Sequence, residues 1–393
     1  MQAAPQQQTT NYQPQSLRRH DLDWLRVIAI ILVLFYHTGM IYVSWGWHIK
    51  SPVTNPAFEE VMRWLHRWRM PLLFFISGAG TFFALKKRSS GQYAGERVKR
   101  LFLPLVFGMF VIVPPQIYYE WLTIGRFSGS YADFYPNVFD LQPYHDGGKG
   151  GAFSWHHLWY ICYLFFYSLL SIPVFRWLKS MGGQRFTDWV GRQINRPGGV
   201  MWLGLTAIFA TQITLKPYFP DETHGLVDDW AYFVKNLLLF WFGYLLTSRP
   251  AFWQLLTDQR RMLLTGTLIC TVMLYSIRAV YDTEGPDNMA WEIAYLLATD
   301  GLTWFSVLMT VGYGYRYLNV DRPILHHLNN AIYPFYILHQ TVIIVIGFYL
   351  LKTNLGVYDG FLTISLLSGL TCVAIIGLLI RPFRLTRFLF GMK

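Results

Sequence analysis

Apolar positions in this chain fall in long unbroken runs, not in alternation. Ten runs, at about 22–44, 64–85, 101–123, 156–178, 198–215, 230–247, 262–280, 291–315, 331–351 and 360–380, are long enough to cross a bilayer as helices. The run 198–215 is short, and Pro114-Pro115 inside 101–123 predicts a kink there. The pattern predicts an all-α, polytopic integral membrane protein with about ten transmembrane helices. One membrane domain should occupy 20–388, preceded by a Gln-rich tail, residues 1–19, with too few apolar groups to fold. The first run is a full span with no small-residue cleavage site after it, so no cleavable signal is expected.

Charge gives the orientation. Only 14% of the 393 residues are charged, against about 25% in soluble domains. Most of the 33 Lys and Arg lie in alternate connections: Arg18 and Arg19, Lys86 to Arg100, Arg176 to Arg196, Arg249 to Arg261, Arg316 to Arg322, and Arg381 to Lys393. This alternation predicts that both termini are cytoplasmic. It also accounts for the net charge of +11 without nucleic acid. Loops 216–229 and 281–290 are acidic and fall outside, as does the long connection 125–154, which could be a lid, an acceptor surface or a plain link. Cys162, Cys270 and Cys372 stand singly in apolar runs, without disulfide or metal-ligand spacing. Adjacent histidines diverge by about 100° on a helix, so neither His156-His157 nor His326-His327 reads as a metal pair. No metal is expected.

The first span carries Arg26 and His37. Eleven positions at about 100° each return to within about 20° of one face, about 16 Å apart along the helix. Ionisable groups in a span usually face the protein interior or a wet cavity. The alternatives are an arginine that snorkels and pairs with Asp23, and a histidine bonded to a carbonyl in the core. Ser77-Gly78 offers a hydroxyl in the second span, or only close helix packing. Arg69, at the outer boundary of that span, could hold an anionic group or mark the interface. Arg97-x-x-Arg100 sets two guanidiniums on one face at a helix start, a good site for phosphates, with Lys99 between them. Acyl-CoA carries such phosphates. His339 could line a channel for it, or form an interhelical hydrogen bond with its neighbour Gln340. Asp300, deep in its span, needs a partner, for which Arg278 is one guess.

Taken together, Arg26-x10-His37, the run ending in Ser77-Gly78, Arg97-x-x-Arg100-Leu-x-x-Pro104, His157-Leu-Trp159-Tyr160 and Tyr333-Pro-Phe-Tyr-Ile-Leu-His339-Gln340 resemble the acyltransferase-3 family of integral membrane acyltransferases. Trp47-His48-Ile-Lys50-Ser51 and Arg69-Met70 resemble its glucan biosynthesis protein C-like branch. Ala79 and the Trp159-Tyr160 pair depart from the family pattern and leave the substrate open. The resemblance implies O-acyl transfer, with acetyl or succinyl the acyl group, from cytoplasmic acyl-CoA to a glycan hydroxyl outside a bacterial inner membrane. His37 would be the general base and Arg26 would bridge it to the CoA site at Arg97, Lys99, Arg100 and His339. Arg69, His157, Trp159 and His48 would meet the acceptor. Direct transfer and a covalent acyl-His37 relay both stay open.

A competing reading is a transporter or flippase for a sugar or lipid-linked sugar, with His37 and Asp300 as a proton relay. The two halves of the chain show no repeat, which counts against it. Oligomeric state cannot be read from the residues.

Overall fold

The computed structural model describes residues 18–392 apart from 141, 143, 146–148 and 285–288. Residues 1–17 of the predicted tail 1–19 lie outside the described residues, as does part of the acidic loop 281–290, while Arg18 and Arg19 pair with Asp23 and Asp21. Twelve helices carry the description below: α1 His20–Gly39, α2 Pro56–Lys87, α3 Ser90–Thr123, α4 His156–Leu178, α5 Met181–Ile194, α6 Gly199–Leu215, α7 Trp230–Thr247, α8 Pro250–Glu284, α9 Met289–Tyr317, α10 Pro323–Leu350, α11 Val357–Ile380 and α12 Arg384–Leu389. The described strands are two-residue pieces, Tyr144–His145 against Lys149–Gly150, in the connection before α4.

The chain is an all-α polytopic membrane protein. Among the described residues eight helices are long and apolar enough to cross a membrane, and α5 with α6, bent by 117°, makes a ninth. The remaining apolar run forms α7, an 18-residue helix that carries Lys235 and Asn236 in its interior. The short run 198–215 is the second arm of the bent pair. Its first arm, α5, exposes Met181, Phe186 and Trp189, as a helix lying along an interface would.

Segments assigned to one side by the charge alternation do meet. Lys179 Nζ donates to Leu85 O at 3.1 Å, Arg249 pairs with Asp188 at 2.6 Å, and Trp24 Nε1 donates to Val320 O at 3.2 Å. Arg18 and Met392 line the same cavity, so both described chain ends lie at this basic end.

Helix α1 is the hub, packed against α2, α9, α10 and α11. Prolines bend the helices around it, and the carbonyls they free are satisfied by neighbours. Pro71 in α2 removes the hydrogen bond to Arg67 O, which accepts from Thr303 Oγ1 of α9 at 2.9 Å. In α3 a widened turn at Gly108–Ile112 precedes Pro114-Pro115. Phe110 O there accepts from Tyr135 at 2.9 Å and Ile112 O from Thr341 at 2.6 Å. The predicted kink thus places α3 against α10, where the site lies.

Gly78 and Gly243 mark the crossing of α2 and α7. A Cβ on Gly78 would strike the Phe240 carbonyl, and one on Gly243 the Phe75 carbonyl. Backbone cannot yield as a side chain can. Gly78→Ala should therefore cost about 1–3 kcal/mol, read as a lower melting temperature in detergent; unchanged melting would mean the crossing is looser than this.

Candidate active site

The helical period does what the spacing predicts: Arg26 and His37 face inward from α1. Arg26 Nη1 lies 3.2 Å from Asp23 Oδ1 and 3.4 Å from Asn329 Oδ1 of α10. It lines a cavity of about 560 Å³ that opens at the basic end. Arg18, Arg97 and Arg100 share its wall, and the inner part is formed by Leu73, Ser77, Tyr160 and Tyr336. Arg100 is held by Glu96 at 3.4 Å, and its carbonyl accepts from Tyr333 at 2.8 Å. Lys99 is exposed and is not part of this wall. Ser77 Oγ and Tyr160 Oη are hydrogen-bonded at 2.8 Å, so the small residue of Ser77-Gly78 that touches the cavity is the serine.

His37 lies beyond the inner end. Its Nδ1 is 2.8 Å from Nε2 of His339, with the rings nearly parallel. His339 Nδ1 is 2.6 Å from Tyr336 O. A carbonyl can only accept, so His339 carries its proton on Nδ1 and presents a lone pair at Nε2. His37 must then donate from Nδ1, which leaves its own Nε2 as a lone pair. The pair therefore fixes the tautomer of a potential base. His339 is fully buried and off the cavity wall, and its Nδ1 contact with the Tyr336 carbonyl ties it to a residue that lines the cavity.

A second set of polar groups continues away from this pair. His157 Nε2 donates to Ile337 O at 3.0 Å and its Nδ1 accepts from Gln116 at 3.2 Å. Gln116 also donates to Thr341 and accepts from Gln340, which in turn donates to His48 Nε2 at 3.2 Å. His48 Nδ1 donates to Glu120 Oε2 at 2.6 Å, both residues being buried. Lys50 Nζ caps the carbonyls of Met40 and Val43, holding the turn that brings Trp47 and His48 back beside α1. Tyr336 Oη donates to His157 O and ties the two sets together.

At the end opposite the arginines, Tyr36 Oη is 3.1 Å from His66 Nδ1, and His66 Nε2 is 2.7 Å from Glu222. Arg69 lies over the Tyr36 ring at 3.6 Å and is buried, inside the protein and not at its boundary. Trp159 stacks on His224 at 4.3 Å. Of the ten residues singled out from the sequence, His37, His339, His157 and His48 join one polar interior, and Arg26, Arg97 and Arg100 join one cavity. Glu120, Gln116, Tyr36 and Glu222 were missed. A lone carboxylate inside the apolar run 101–123 was the available signal for Glu120.

Asp300 corrects the guess of an Arg278 partner. Asp300 pairs with Lys235 of α7 at 3.2 Å, while Arg278 lies 3.4 Å from Glu60. Helix α7 packs between α2 and α6, an order the sequence does not carry. No cluster of three or more His, Cys, Asp or Glu able to hold a metal occurs among the described residues.

An acyltransferase-domain family profile, that of the acyltransferase-3 type, matches residues 19–380. The chain belongs to this family. Among curated proteins, this acyltransferase is similar to the glucans biosynthesis protein C of Salmonella paratyphi B, 22% identical over 400 residues covering 96% of this chain and 95% of the relative. The protein of the same name from Escherichia coli SMS-3-5 is 20% identical over 390 residues, with the same shares covered. No solved structure matches.

One titration beside the acyltransferase site is accessible to measurement. Asp229 precedes α7 and is fully buried; it accepts from Tyr163 at 2.8 Å and from the His224 amide at 3.1 Å. Burial pushes its carboxyl up to about 7. A carboxyl raised on folding contributes stability that is complete below its unfolded value of about 3.9 and lost as pH rises through the folded value. Asp229→Asn should therefore melt above the wild type at pH 8, with the gain shrinking as pH falls and vanishing only below about pH 4. Parallel melting curves across that range would refute the assignment.

Proposed function

We propose that this membrane acyltransferase moves an acyl group, acetyl or succinyl, from acyl-CoA at the basic end to a hydroxyl of a glycan entering from the opposite end. In this reading the basic end is cytoplasmic, the membrane is a bacterial inner membrane, and the domain 20–388 carries the whole reaction. The observation that carries it is the juxtaposition of an arginine-lined cavity with a histidine whose Nε2 is left as a lone pair.

CoA phosphates bind at Arg97 and Arg100, with Lys99 at the rim, and the pantetheine arm runs past Arg26 toward Ser77, Tyr160 and Tyr336. The hydroxyl oxygen of the acceptor attacks the thioester carbonyl carbon as its proton passes to His37 Nε2. The carbonyl oxygen takes up the negative charge. Collapse reforms the carbonyl, breaks the C–S bond, and the thiolate takes the proton back from His37. A hydroxyl is a poor nucleophile without such a base, and imidazole titrates near neutrality. His339 acts as a positioning residue: when His37 is protonated, its Nδ1–H bond to His339 becomes charge-assisted. On the acceptor side His48, held by Glu120, stands with His157 and Trp159 to orient the sugar. The name of the relatives, glucans biosynthesis protein C, supports a glucan as the acceptor.

The test is CoA release by the purified protein from acetyl-CoA and succinyl-CoA, with and without glucan. Acceptor-dependent release from either donor supports the reading. No release from either donor, by a protein that melts cooperatively, overturns it.

A further inference from the structure

Arg69 and Tyr232 present buried donors with nothing to bind. Arg69 is 3% exposed, and its Nε and Nη1 have no hydrogen-bond partner among the described residues. Its guanidinium stays charged under any physiological condition. Tyr36 covers the face of that guanidinium at 3.6 Å, and Nε and Nη1 are the donors left over. Tyr232, 5% exposed on α7, likewise has no hydrogen-bond partner for its hydroxyl among the described residues. The two stand on α2 and α7, helices that pack closely against each other. The neighbouring acid, Glu222, is already engaged by His66 at 2.7 Å and faces Arg67 at 3.8 Å. A buried cation without a counter-charge is costly, and such a charge is kept where something anionic arrives.

Position says what arrives. Leu73 lines the inner end of the arginine-rich cavity, and Arg69 is one turn further along α2, about 6 Å. Tyr36, beneath Arg69, has its ring centroid 5.5 Å from that of His37. We propose that Arg69 and Tyr232 form an anion-receiving subsite at the reacting centre, which takes a negatively charged oxygen of the acyl group being transferred. This deepens the acyl-transfer reading and rests on it. The oxygen has two possible sources, the oxyanion formed at the thioester carbonyl and a carboxylate at the far end of the acyl chain.

The experiment compares the full chain with Arg69→Gln, Arg69→Lys and Tyr232→Phe, using acetyl-CoA as a neutral donor and succinyl-CoA as a carboxylated one. The expected result is a loss of at least about tenfold in kcat/KM for Arg69→Gln and a smaller loss for Tyr232→Phe, which keeps the ring and the packing. A fall in kcat with both donors identifies the oxyanion; a rise in KM confined to succinyl-CoA identifies the carboxylate. Arg69→Gln and Tyr232→Phe both within twofold of wild type on both donors would overturn the subsite, and Arg69→Lys, which keeps the charge, should lose less than Arg69→Gln. If wild type releases no CoA at all, the acyl-transfer reading fails first, and melting with succinate decides the subsite separately. A succinate-dependent rise in melting temperature that Arg69→Gln loses supports it, and no rise overturns it.

Discussion

His37→Ala should lower glycan-dependent CoA release by about 10²–10⁴-fold, the usual contribution of a positioned general base. Affinity for CoA should stay within about twofold, because His37 does not line the cavity that the arginines share. This separation makes the variant informative: a histidine that merely holds the core together would lower abundance and CoA binding along with turnover. His339→Gln gives the complementary result. Glutamine can still accept from His37 Nδ1 but cannot reproduce the fixed imidazole lone pair set by the Tyr336 carbonyl. The expected loss is about 10–100-fold in kcat, as for groups that orient a histidine ligand from behind, with a shifted pH profile and an unchanged KM for acyl-CoA. If His37→Ala kept wild-type turnover, the base would have to be sought elsewhere, since the lone pairs of His48 and His157, fixed by Glu120 and by Ile337 O, already accept from Gln340 and Gln116.

The parts of this site that the sequence carries are those set by local periodicity. Eleven positions along one helix oblige Arg26 and His37 to share a face, and Arg97 and Arg100 are one turn apart, although that second pair sits at a widened turn, Val98–Phe102, inside α3 and not at the helix start the spacing suggested. Loop charge likewise groups Arg18, Lys86 to Arg100 and the C-terminal arginines, and from that group the cavity mouth takes Arg18, Arg97 and Arg100. What the sequence withholds is pairing across long separations. His37 and His339 lie 302 positions apart, and His48 and Gln340 lie 292 apart. Periodicity turns His339 inward, yet it does not distinguish a cavity wall from a partner for His37. Asp300 shows the same limit: its burial is evident from its span, but Lys235 becomes its partner through the packing of α7, which no run of residues specifies. Arg69 is legible as a cation at an apolar boundary, whereas its burial beneath Tyr36 depends on α1 and α2 crossing where they do.

Removal of the two arginines at the cavity mouth should have the opposite kinetic signature to removal of the base. Arg97 rests over the Tyr93 ring at 4.6 Å, and its Nε has no hydrogen-bond partner among the described residues, so its donors are held in place without being consumed. Arg100 keeps Glu96 at 3.4 Å on one side while reaching the cavity. Charge-assisted hydrogen bonds contribute about 1.5–3 kcal/mol each. Each single alanine substitution should then raise KM for acyl-CoA by about 10–100-fold, and the pair by somewhat less than the product, since the two guanidiniums act on neighbouring phosphate oxygens. Turnover at saturating donor should change little, because binding lost equally in ground and transition states leaves kcat in place. The effect should also weaken as salt rises, these groups being only partly buried. Donor analogues sharpen the result: acetyl-pantetheine, which has the thioester but no nucleotide phosphates, should be a poor substrate for the wild type and an equally poor one for Arg97→Ala and Arg100→Ala. A mouth that recognised only the thiol end would instead leave the wild type indifferent to the missing phosphates, and the arginines would be no more than the basic flank of a membrane helix.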